Sequence, residues 1–174
     1  TITIEAVNDA PSIDTASTIQ VAENQTAVST ISVSDVDEDD LTLSMSGTDA
    51  NSFNLSDENV LTFKEAPDFE TKSSYSITLS LSDGIETVTK DIAISITNVN
   101  DIAPVFTSEA TFSAAENQTA IGTVTATDAE GDAVTFTVTG DELAITSAGV
   151  LTFVSSPDYE TKSSYTAIVT ATDG

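Results

Sequence analysis

The side chains of this chain that could do chemistry are almost all carboxylates, and they return at a fixed interval. Glu23, Asp35 and Asp37 come back as Glu116, Asp128 and Glu130, displaced by 93 residues. Asp68, Glu70 and Asp83 come back as Asp158, Glu160 and Asp173, displaced by 90. His and Cys are absent, which removes the commonest general base and the usual ligands of soft and borderline metals. Carboxylate, amide and carbonyl oxygens remain, and these are the ligands of hard cations such as Ca²⁺.

The charge balance narrows the partners. Four Lys plus Arg stand against 29 Asp plus Glu, a formal net charge of −25. Affinity for phosphate backbones rests on basic side chains, so nucleic acid is excluded, and anionic membrane surfaces with it. Self-repulsion of this size opposes the compact state unless cations neutralise it. No apolar run reaches the ~20 residues of a membrane-spanning helix. Without Cys no disulfide can staple the fold, which suits a bacterial extracellular protein. The sequence shows neither an initiator Met nor a signal peptide and reads as an internal segment.

The elements that must position the acids follow from the repeat. Ala22–Ala27 (AENQTA) returns as Ala115–Ala120, Val60–Phe63 (VLTF) as Val150–Phe153, and Pro67–Tyr75 as Pro157–Tyr165. Within a copy the apolar period is two: Tyr75, Ile77, Leu79 and Leu81 alternate with Ser76, Thr78 and Ser80. Val88, Ile92, Ile94 and Ile96 share one parity, interrupted at Lys90. This is the pattern of half-buried antiparallel strands. Strands are expected near Thr18–Ala22, Ala27–Ser34, Leu41–Ser46, Phe53–Leu55, Val60–Phe63, Ser74–Asp83 and Thr87–Thr97. The fold class is therefore all-β, with tandem seven-stranded Greek-key β-sandwiches of immunoglobulin-like type. Ile2–Asp9 matches Ile94–Asp101, so residues 1–7 are expected to be the tail of a preceding repeat's last strand. Repeat 1 then spans 8–100 and repeat 2 spans 101–174, the latter lacking its last strand.

Acids that serve only solvation should scatter over strand faces. Here they gather in the loops, which meet at the poles of a sandwich, where clustered carboxylates repel unless a cation joins them. Paired acids also cleave glycosides, but Asp68 and Glu70, expected on a strand, would point the same way, and no nucleophile elbow or phosphate loop accompanies them. No enzyme activity is expected. Asn24-Gln25-Thr26, Asn54-Leu55-Ser56 and Asn117-Gln118-Thr119 fit the glycosylation pattern, yet the first and last read better as turns. Phe53, Phe63, Phe69 and Tyr75 lie at strand parity and read as core.

These motifs resemble the cadherin family. The resemblance is carried by Glu23, by Asp68–Tyr75 (DFETKSSY), by Leu81–Gly84 (LSDG), by the linker Asn98–Pro104 (NVNDIAP) and by Asp128–Glu130 (DAE). It covers nearly the whole chain, and Val7–Pro11 is similar to linkers of cadherin-like repeats in large bacterial adhesins. The resemblance implies that Glu23, Asp68, Glu70 and Asp101 hold one Ca²⁺. Glu23, Glu70, Asp101, the Asn98 carbonyl and Glu130 would hold a second. Asn100, Asp128, Glu130, Asp173 and the Ile102 carbonyl would hold a third. Ile102 stands where the family places Asn, and Glu130 is longer than the family's Asp, so two or three ions are expected. Asn8, Asp9, Asp35, Asp37 and Asp83 form one half-site, and Glu116, Asp158 and Glu160 another. By the same resemblance the chain is a calcium-rigidified segment of a secreted or cell-surface adhesin whose partners are neighbouring repeats. A polysaccharide-binding or homophilic module is the alternative. Donation of Thr1–Val7 as a strand to another molecule is a further possibility.

Overall fold

Alternation becomes strands throughout the computed structural model, which describes residues 1–5 and 7–174. The chain divides into two units, Thr1–Val99 and Asn100–Gly174. In the first, β1 (Ser12–Ile13), β2 (Thr18–Ala22), β3 (Ala27–Thr30), β4 (Val33–Ser34) and β5 (Thr42–Ser46) precede a short 3-10 turn at Ala50–Ser52. Then come β6 (Phe53–Leu55), β7 (Val60–Phe63), β8 (Ser74–Ser82) and β9 (Thr87–Thr97). One sheet runs β2-β9-β8-β5, a second runs β3-β7-β6, and β1 pairs with β4.

Register puts the apolar parity of the two longest strands on one face: Tyr75 lies opposite Ile94, Ile77 opposite Ile92 and Leu81 opposite Val88. Ile77, Leu79, Leu81 and Ile92 are completely buried. Ile31, Phe53, Leu61 and Phe63 belong to the same core. Each such side chain contributes about 1.5–3 kcal/mol relative to exposure. The aromatic residues expected in the core are there: the Phe53 and Phe63 rings are 4.4 Å apart, and Tyr75 stands edge-on to both. Lys90 interrupts the apolar parity without leaving a bare charge, because its ammonium donates to the Ile13 carbonyl at 2.9 Å.

Three details differ from the sequence expectation. The strand expected over Ala27–Ser34 is broken: β3 pairs with β7 and β4 with β1. Between them the Ile31 N–H donates to Asn59 O and the Ser32 N–H to Thr15 Oγ1. Ser12–Ile13 forms a strand too short to show any alternation. At the other extreme, Thr1–Glu5 and Val7 form no strand, and Ile2 and Ile4 are 93% and 95% exposed. Ala6, part of the same expected tail, lies outside the described residues.

The second unit contains β10 (Val105–Phe106), β11 (Ala120–Thr123), β12 (Ala126–Thr127), β13 (Thr135–Val138), β14 (Leu143–Ile145), β15 (Val150–Phe153) and β16 (Val169–Thr172). Its sheets are β10-β12, β11-β15-β14 and β13-β16. The repeat is kept in detail: Val124 N–H donates to Gly149 O at 2.9 Å, as Ile31 does to Asn59. Gly149 needs its left-handed φ of 84°, and a Cβ there would lie 2.1 Å from Val124 O. No counterpart of β9 occurs within residues 1–174. In the first unit β9 is the partner of all of β2 and of Ser74–Ile77. The counterparts here, Thr111–Ala115 and Ser164–Ala167, consequently form no strand. Buried apolar residues are reduced to Val124, Phe136 and Leu151.

Candidate metal centre

The strand ends deliver carboxylates to loops at three places. In the first unit β4 stops at Ser34 and the chain turns through Asp35, whose Oδ1 accepts the N–H of Asp37 at 2.9 Å and of Asp39 at 3.4 Å. Carboxylate oxygens of Asp35, Asp37 and Asp39 lie within 4.8 Å of one another. Asp37 Oδ2 also accepts the Asp9 N–H at 2.7 Å. Asp83, 9% exposed at the end of β8, accepts from the Ile85 and Glu86 N–H groups on Oδ1 and from the Asn8 amide on Oδ2. These bonds, the Asn8 amide foremost, hold its carboxyl below the ordinary value. Asp39 is pushed the other way by lost hydration and by the charges of Asp35 and Asp37. The sequence half-site of Asn8, Asp9, Asp35, Asp37 and Asp83 is thus one connected set of hydrogen bonds.

Elsewhere in the first unit Glu23, just past β2, is 4% exposed. One carboxylate oxygen accepts the Phe69 N–H and the other the Val99 N–H, both at 2.8 Å. Carboxylate oxygens of Glu23 and Glu70 lie within 4.8 Å of each other. Asp68 accepts both the hydroxyl (2.9 Å) and the N–H (3.1 Å) of Thr71, which lower its pKa. Asp68 and Glu70 sit in a turn and not on a strand. The Asp68 side chain caps that turn, as Asx residues do. Asn98, past the end of β9, is exposed.

In the second unit Asp128 follows β12. Its Oδ1 accepts the Glu130 N–H at 2.8 Å and the Asp132 N–H at 3.2 Å. Glu130 reaches the start of the unit, where its Oε2 accepts from Asp101 N–H at 3.1 Å and Ile102 N–H at 2.9 Å. Oxygens of Asp128, Glu130 and Asp132 cluster within 4.8 Å. Asn100 lies beside the Asp173-Gly174 end, its amide 3.3 Å from where a Gly174 Cβ would stand. Glu116, Asp158 and Glu160 form a further exposed cluster, with Glu116 accepting the Tyr159 N–H at 3.0 Å. Asp158 accepts the Thr161 hydroxyl at 2.8 Å, the main cause of its lowered pKa.

Sequence reasoning missed Asp39 and Asp132. The signal was present, since both lie at the same 93-residue displacement and two residues beyond Asp37 and Glu130.

The donor set fits a hard cation. Asp35 Oδ2, Asp128 Oδ2 and Glu130 Oε1 are buried and accept no hydrogen bond among the described residues. A buried acceptor without a partner costs about 1–3 kcal/mol, and more when charged. The ion pairs among the described residues, Lys72–Asp49 and Lys162–Glu142, lie outside these clusters. Oxygen-only ligation of this kind is what Ca²⁺ takes, with roughly six to eight donors.

Residues 8–96 match the model of a family described as "Bacterial Ig domain". Among curated proteins, human cadherin-23 is 34% identical over 140 residues and mouse cadherin-23 is 33% identical over 140. The match covers 74% of this chain but only 4% of each relative. Among solved structures, human protocadherin-24 EC1-2 superposes with a TM-score of 0.78 at 20% identity, covering 95% of this chain and 94% of that one. Mouse cadherin-23 EC22-24 gives 0.77 at 24% identity, covering 95% of this chain and 60% of that one.

Proposed function

The chain belongs to the bacterial Ig-domain family, with cadherin-like repeats, and on that premise we propose that it is a calcium-stiffened segment of an extracellular adhesion protein. The observation that carries the reading is the trio of buried carboxylate oxygens without donors, on Asp35, Asp128 and Glu130. A divalent cation is the partner that satisfies such atoms without any basic side chain.

In this reading the carboxylates that end the first unit and those that begin the second share ions. Glu23, Asp68, Glu70 and Asp101 would hold the first. Glu23, Glu70, Asp101, Glu130 and the Asn98 carbonyl would hold the second. Asn100, Asp128, Glu130, Asp173 and the Ile102 carbonyl would hold the third. Bound calcium supplies positive charge where carboxylates otherwise repel, and so fixes the linker Asn98–Pro104. Affinity is expected near the ~10⁻⁴–10⁻³ M of extracellular modules. Asn8, Asp9, Asp35, Asp37 and Asp83 repeat the second unit's ligand set and would serve a preceding repeat. Glu116, Asp158 and Glu160 would serve a following one.

Small-angle scattering with calcium and with chelator tests the proposal, alongside calorimetric titration. Heat of binding together with a fall in flexibility supports it. The same scattering curve in both conditions, with no binding heat, would end it.

A further inference from the structure

The second unit carries an open cleft of about 740 Å³ whose walls include Phe112, Leu151, Phe153, Tyr165 and Val169. Two backbone segments border it without strand partners among the described residues, Thr111–Ala115 and Ser164–Ala167. In the first unit the corresponding segments are both paired to β9. A second unpartnered element has the complementary pattern. Ile2–Asp9 reads ITIEAVND against ISITNVND at Ile94–Asp101. Ile94 and Ile96 are 1% and 4% exposed, whereas Ile2 and Ile4, at their counterparts, are 93% and 95% exposed.

We infer that residues 1–7 of one copy insert as a strand into the cleft of a second copy, joining chains of residues 1–174 head to tail. The register follows from the intact unit. Thr18–Ala22 runs parallel to Ala93–Thr97, so Thr111–Ala115 runs parallel to Thr1–Glu5 of the other copy. Tyr75 lies opposite Ile94 and Ser74 opposite Ser95, which sets Tyr165 against Ile2 and Ser164 against Thr3. Ile2 and Ile4 then enter the apolar cleft while Thr3 and Glu5 face water, the alternation a half-buried strand requires. The polar contacts transfer too. Ile96 donates to the Ser73 carbonyl, Glu23 N–H to the Thr97 carbonyl and Val99 N–H to the Glu23 carboxylate. Their equivalents are Ile4 to Ser163, Glu116 N–H to Glu5, and Val7 N–H to the Glu116 carboxylate. That last contact supplies the donor that Glu116, which holds only the Tyr159 N–H, lacks relative to Glu23. Strand addition of this kind satisfies an exposed sheet edge with main-chain hydrogen bonds.

The inference does not depend on the calcium reading, and sedimentation of the 174-residue chain tests it with and without chelator. Weight-average mass rising with concentration beyond that of a dimer is expected, in at least one of the two conditions. The double variant Ile2→Asp/Ile4→Asp changes only residues already in solvent, so both cores fold, and it should return the chain to monomer. An excess of the peptide Thr1–Asp9 should do the same and protect the amides of Thr111–Ala115 from exchange. Appending a copy of Ile85–Thr97 after Gly174 places a β9-type strand in the same cleft and should also abolish association. A monomer at every concentration in both conditions overturns the inference. So does association that survives the double variant.

Discussion

The Glu23 carboxylate holds the Val99 N–H at 2.8 Å, tying the residue after β2 to the residue where the first unit ends. Its other oxygen holds the Phe69 N–H at the same distance. One nearly buried acid therefore fastens two loops while its charge stays in place for a cation.

Replacing Glu23 by Gln keeps the shape but removes one of the two acceptors and the charge. One backbone N–H is left facing an amide N–H. Destabilisation of the first unit by about 1–3 kcal/mol is expected in chelator, with a larger loss in calcium. Urea unfolding in the two conditions measures both. Equal losses with and without calcium would show that Glu23 is only a structural clasp.

The core can be tested by one pair of equivalent positions. Leu79 is completely buried, and its counterpart Val169 is half-buried beside the open cleft. Leu79→Ala is expected to cost about 2–5 kcal/mol. Val169→Ala should cost well under half of that, because neighbours can relax into open space. Separate thermal transitions for the two units, followed by calorimetry, would resolve the difference.

The repeat was legible because identical blocks recur with their spacing, and because the period of two in Tyr75–Leu81 and Val88–Ile96 can be read without any partner. The broken strand at Ile31-Ser32 was not legible, since the break reflects a change of pairing partner and not a change in local pattern. Likewise Thr111–Ala115 resembles Thr18–Ala22 in sequence and still forms no strand, because a strand exists only with its neighbour. Asp68 and Glu70 were placed on a strand from their spacing, but the Thr71 hydrogen bonds to Asp68 close a turn instead. Asp39 and Asp132 escaped notice as part of an acid run whose members differ only in the loop geometry that folding creates.

Acid sensitivity of the first unit should come partly from Asp49. The Lys72 ammonium, donating to Asp49 from beside the Tyr75 ring, lowers its pKa below the ordinary value, and the Ser76 N–H adds to this at 2.8 Å. A carboxyl whose folded pKa lies below its unfolded one contributes stability at pH above the unfolded value. That stability is lost as pH falls through the folded value. Asp49→Asn should therefore flatten the stability–pH curve of the first unit in the acid range, measured in calcium-free buffer. An unchanged slope would mean that the pair is too well hydrated to matter.

The strongest separation of the calcium reading from ordinary packing lies at Asp128. Its Oδ1 accepts two N–H groups, while Oδ2 is buried without a donor and clusters with oxygens of Glu130 and Asp132. Without a cation this arrangement concentrates negative charge away from water, which opposes folding. Asp128→Asn keeps the Oδ1 acceptor and removes the charge. The variant is expected to equal or exceed the parent in stability in chelator and to fall below it in calcium. The parent's gain grows as the logarithm of free calcium over Kd, reaching about 2.7 kcal/mol at a hundredfold excess, and the variant's gain should be much smaller. The two stability curves, plotted against calcium concentration, should therefore cross. Parallel curves would mean that Asp128 holds loop structure alone and binds no ion.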